Sequence, residues 1–107
     1  MVGKLTFAPG LYLGESIASK KLDKLKKRLE RKPLLANVYL ITPARNPSDQ
    51  LDIFDARQLV QPFYNDEEIF VLGIASGYEE ALQLIELMTK ECLEARGDCN
   101  LREYLLC

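Results

Sequence analysis

From residue 5 to residue 13 the chain is apolar and aromatic (LTFAPGLYL) around a Pro9-Gly10 break, which predicts a bent strand or two short strands joined by a turn. The pattern then shifts to helical spacing. Ala18, Leu22, Leu25 and Leu29 fall within an arc of about 60° at 100° per residue, while nearly every other position from 20 to 32 is charged. That predicts a helix with a narrow buried stripe, capped by the hydroxyl of Ser16 or Ser19 and stopped before Pro33, which pushes Lys32 out of the helical region.

Residues 34–42 (LLANVYLIT) are almost continuously apolar and rich in strand formers, as in a central strand. A loop follows over 43–50, where Pro43, Asn46, Pro47 and Asp49 favour turns. LDIFDA alternates Leu51 and Ile53 with Asp52 and Asp55, which predicts a half-buried strand returning antiparallel beside its predecessor. After an ambiguous stretch with one helical turn before Pro62, residues 68–76 (EIFVLGIAS) form a second fully apolar strand. The longest helix spans about 78–96 and ends at Gly97. Its core stripe is Tyr78, Ala81, Ile85, Met88, Cys92 and Ala95; Leu82 and Leu84 widen it to roughly 160°, and Leu87 and Leu93 lie off it on opposite sides. Asn100-x-x-Glu103 resembles a capping box for a last short helix carrying Leu101, Tyr104, Leu105 and Leu106.

This order predicts one α+β domain over residues 1–107: a two-layer sandwich with two main helices on one face of a largely antiparallel sheet of three to five short strands, plus a short C-terminal helix. The nearest superfold is the ferredoxin-like arrangement, whose final strand is missing unless the residues after Gly97 supply it.

Composition narrows the chemistry. The 107 residues contain no histidine, so Ser-His-Asp and Cys-His pairs and imidazole metal ligands are excluded. Cys92, Cys99 and Cys107 fit neither a zinc knuckle nor a disulfide framework and read as thiols of a cytoplasmic protein. No apolar run is long enough for a membrane span, and the broken N-terminal apolar stretch gives no secretory signal. No cofactor motif is present. Asp52 and Asp55 point to opposite faces of a strand and read as solvent-facing carboxylates, and no metal site is expected. Cys92 falls in a core stripe where its thiolate is disfavoured, and the Phe63-Tyr64 pair either lines a groove or lies on the core.

The formal charge of −2 conceals a separation. Residues 20–32 carry Lys20, Lys21, Lys24, Lys26, Lys27, Arg28, Arg31 and Lys32 against Asp23 and Glu30, a balance of +6, so the other 94 residues carry −8. Residues 66–98 alone hold nine acids against Lys90 and Arg96. The basic surface of Lys20, Lys21, Lys24, Lys27, Arg28 and Arg31 is expected to be solvated or to face a partner. Nucleic acid is the alternative, weakened by the absence of interleaved aromatic residues. Gly73, Ser76, Gly77 and Tyr78 join a strand to a helix and form a weak candidate anion or small-ligand site; in the plain structural reading Gly73 allows close packing, Ser76 caps, and Glu79 and Glu80 satisfy the helix dipole. Surplus apolar positions, Leu84, Leu87, Leu93, Leu105 and Leu106, read as an interface. The expectation is therefore a non-enzymatic module that associates with itself, a dimer being favoured, or with another protein.

Overall fold

The computed structural model describes residues 5–17, 19–32, 37–44, 50–60 and 68–106, the side chains of residues 60, 102 and 106 excepted. Expectations resting on Ala18, Pro33, residues 34–36, the Phe63-Tyr64 pair, the Leu106 side chain and Cys107 lie outside the described residues. The elements run β1 (Leu5–Leu13), a 3-10 turn (Ser19–Lys21), α1 (Leu22–Arg31), β2 (Tyr39–Pro43), β3 (Leu51–Asp55), a 3-10 turn (Ala56–Val60), β4 (Ile69–Ala75), α2 (Tyr78–Arg96) and α3 (Leu101–Leu106). The strands form one sheet in the order β1-β4-β2-β3. Two of its three pairings are antiparallel, β3 with β2 and β2 with β4, while β1 runs parallel to β4. This is a largely antiparallel α+β fold with two main helices and a short C-terminal helix.

The placement of the helices differs from the two-layer expectation. At the start of β2, Val38, just before the strand, and Leu40 enter one buried cluster while Tyr39 and Ile41 enter another; along β4, Val71 and Ile74 belong to the first and Leu72 and Ala75 to the second. Successive strand residues point to opposite faces, so the central strands bury both faces and each face needs a cover. Leu29 of α1, with Leu22 and Leu25 beside it, covers the first. Ala81, Leu84, Met88 and Cys92 of α2, with Leu101 of α3, cover the second. The helices lie on opposite sides of the sheet, in three layers. The residues after Gly97 add a helix rather than a strand, so the ferredoxin-like arrangement is not completed.

β1 is one strand with a break inside it. Leu5–Phe7 pair with Ile69–Val71, and Tyr12–Leu13 pair with Gly73–Ile74, so residues 8–11 bow out where β4 contributes only Leu72. Pro9, which has no N–H to donate, sits in this excursion. The alternation along β4 also changes phase at Gly73, whose absent side chain leaves room for Ile41 Cδ1 and Met88 Cε, 3.2 and 3.3 Å from where a Cβ would stand.

Helix ends follow chemistry only partly foreseen. Neither Ser16 nor Ser19 caps α1; its N-cap is Lys21, with no side-chain cap bond, because the 3-10 turn of Ser19–Lys21 feeds directly into the helix. Gly97 closes α2 in the left-handed region at φ 79°, and its N–H donates to the Leu93 carbonyl. Asn100 caps α3 as expected, its side-chain oxygen accepting from the Glu103 N–H at 3.3 Å. On α2 the inward stripe centres on Ala81, Met88 and Cys92, so Tyr78 and Ala95, expected in the core, are exposed, and Leu84, expected at an interface, is buried.

Candidate functional site

Three places gather the side chains on which a function could rest. At the junction of β4 and α2 the donors are already satisfied from within the chain. The Glu80 carboxylate accepts from the Ser76 N–H at 3.2 Å, from the Ser76 hydroxyl at 3.0 Å and from the Ser16 N–H at 3.4 Å. Desolvation pushes the Glu80 carboxyl up, but the hydrogen bonds from Ser76 and Ser16 outweigh it and hold the group below its usual value. The arrangement depends on Gly14: a Cβ there would lie 1.7 Å from Glu80 Oε1. The N-cap of α2 is Gly77, with no side-chain cap bond, rather than Ser76. Of the four candidate junction residues, Gly73 faces the core, Ser76 binds Glu80, and Tyr78 sets its ring edge-on against Tyr39, with centroids 6.1 Å apart. The anion at this junction is the protein's own.

On the same side of the sheet, the Tyr12 hydroxyl donates to Glu91 and ties β1 to α2 across 79 positions. Desolvation, then the hydrogen bond to Glu91 and its negative charge, push the Tyr12 phenol well above its usual value, which makes it a structural donor rather than a source of phenolate. Beside it lies a cavity of about 280 Å³ walled by Ala8, Pro9, Gly10, Leu72, Tyr104 and Leu105. Leu105, expected at an interface, is half-buried here. No spacing in the sequence announces the Tyr12–Glu91 pair, because it arises from the pairing of the first strand with the last.

The third place is the basic helix. Lys20, Lys21, Lys24, Lys27, Arg28 and Arg31 are all exposed, whereas Lys26 is half-buried with its ammonium 4.9 Å from the centre of the Phe7 ring. Only three of these cations converge. Lys21, Lys24 and Arg28 line a groove of about 450 Å³ whose other walls include Ser16, Leu25 and Val38.

The remaining candidates have structural roles. Asp55 accepts from the Arg57 N–H at 2.9 Å and from its guanidinium, and the Arg57 side chain holds the Asp55 carboxyl below its usual value against desolvation. It starts the 3-10 turn and is half-buried, not the solvent-facing carboxylate expected from the strand pattern. Cys92 is buried, its thiol lies 3.3 Å from the Asp98 carbonyl, and burial, then the Asp98 charge, raise it above its usual value; Cys99 is exposed. Among the described residues no cluster of acidic and thiol groups could hold a metal ion, and no helix is long and apolar enough to cross a membrane. Comparison with known protein families, curated proteins and solved structures finds no match to this chain.

Proposed function

We propose that the protein is a self-associating module that packs one flank of α2 against a second copy. The observation that carries this reading is a row of outward apolar side chains: Tyr78 is 54% exposed, Leu82 41% and Leu93 51%. With the half-buried Ile85 and Thr89 between them, they are spaced four, three, four and four residues apart and so share one flank, within an arc of about 80° at 100° per residue, over about 22 Å of helix at 1.5 Å per residue. Leu87, 45% exposed, lies roughly 140° from Leu82 and does not extend the row.

Such a flank is apolar enough to gain from being covered and is bordered by Glu79 and Glu86, which keep the separate chain in solution. Sedimentation equilibrium across micromolar concentrations tests the proposal. The wild-type chain is expected to show a rising average mass, and Leu82→Glu with Leu93→Glu to remain monomeric with an unchanged circular-dichroism spectrum, since both residues are exposed. A wild-type chain that stays monomeric throughout overturns it.

A further inference from the structure

The groove beside α1 is unlike an ordinary solvated lysine face. At 100° per residue Lys21, Lys24 and Arg28 lie within an arc of about 60°, while the helix's two acids, Asp23 and Glu30, fall on its far side. Among the described residues no carboxylate lines the groove and none of its three cations is ion-paired. Its walls are mixed: Ile17, Leu25 and Val38 supply an apolar side, and Ser16 supplies a hydroxyl. At about 450 Å³ the space matches a small molecule rather than a polymer laid across a surface.

From this arrangement we infer that the groove binds a small organic diphosphate or bisphosphate, its charged groups held by Lys21, Lys24 and Arg28 and its apolar body lying against Ile17, Leu25 and Val38. Three positive charges with no counter-charge among the described residues call for an anion of two or more negative charges in a compact group, which a diphosphate supplies and a single carboxylate does not. The Arg28 guanidinium offers a planar fork for two phosphate oxygens, and the two lysines act as point charges on flexible stems. The site is on the opposite face of the sheet from the α2 flank and does not depend on self-association.

Titration calorimetry and thermal shift with inorganic pyrophosphate and an alkyl diphosphate, at matched ionic strength, test the inference. Pyrophosphate is expected to raise the melting temperature. Lys24→Gln with Arg28→Gln should weaken its binding about 10-fold or more, whereas Lys27→Gln with Arg31→Gln, which removes the same charge away from the groove, should leave it within about 2-fold. The alkyl diphosphate should bind more tightly than pyrophosphate, because its tail leaves water for the apolar wall. The inference is overturned if pyrophosphate gives no shift, if both variant pairs lose binding equally, if the alkyl chain adds nothing, or if a single-stranded oligonucleotide binds more tightly than either probe. All the substituted side chains are exposed, and a circular-dichroism melt of each variant without ligand confirms that it is folded.

Discussion

Glu80 shows how one side chain can close a site that the sequence leaves open. Its carboxylate takes up donors at Ser16 and Ser76 that an external anion would otherwise meet, and it can do so only because residue 14 has no side chain. Gly14→Ala would force the flexible end of Glu80 away from those donors. The expected cost is about 1–2 kcal/mol for the set, read by urea denaturation, because the three displaced hydrogen bonds are solvent-exposed and water takes up the freed donors. The same group gives the protein an acid-sensitive element. Because the folded-state pKa of Glu80 lies below its unfolded value, the unfolded chain binds more protons at low pH; the stabilisation is complete at neutral pH and is lost as the pH falls below about 4. Melting temperatures of wild type and Glu80→Gln should therefore converge on acidification. Curves that stay parallel would show that the carboxylate contributes nothing through its charge.

At the level of elements, much was legible and the failures have identifiable causes. The strand at 51–55 and the helix at 78–96 follow from periodicity, the strand at 69–75 from a short continuous apolar run, and Gly97 from the need for a left-handed residue at a helix end. Gly97→Ala is expected to cost about 1–2 kcal/mol, measurable as a lowered melting temperature, because the helix would have to end with a Cβ in that conformation. The start of α1 was not legible, since a serine before a helix can be spent in a 3-10 turn as readily as in a cap. The angular width of α2 misled in both directions: Leu84 and Tyr78 each lie about 60° from the centre of the buried stripe, on opposite sides of it, and only the position of the sheet decides which of them water reaches. The placement of the helices was written in the strands. A strand as apolar as 69–75, without alternation, needs cover on both faces, which two helices on one side could not supply. Among site residues, the basic helix was visible as composition, but the selection of Lys21, Lys24 and Arg28 from eight cations was not, because it depends on where Ile17 and Val38 come to lie.

For the whole molecule, the three-layer arrangement separates the two signs of charge that the sequence hides in a near-neutral sum. The basic helix occupies one side of the sheet and the acid-rich long helix the other, so an anion approaching α1 and a second copy approaching α2 need not compete for one surface. The sheet order also sets a timetable for folding. Leu5 pairs with Ile69, sixty-four positions later, and among the described residues β1 has no other strand neighbour. While the chain is being synthesised, β1 must wait for β4, the strand that Leu5–Phe7 and Tyr12–Leu13 pair with. In the interval α1 and the local pairing of β2 with β3 can form. β1 is thus made well before it can find its place, which leaves it open to capture by a chaperone or to aggregation before the fold closes.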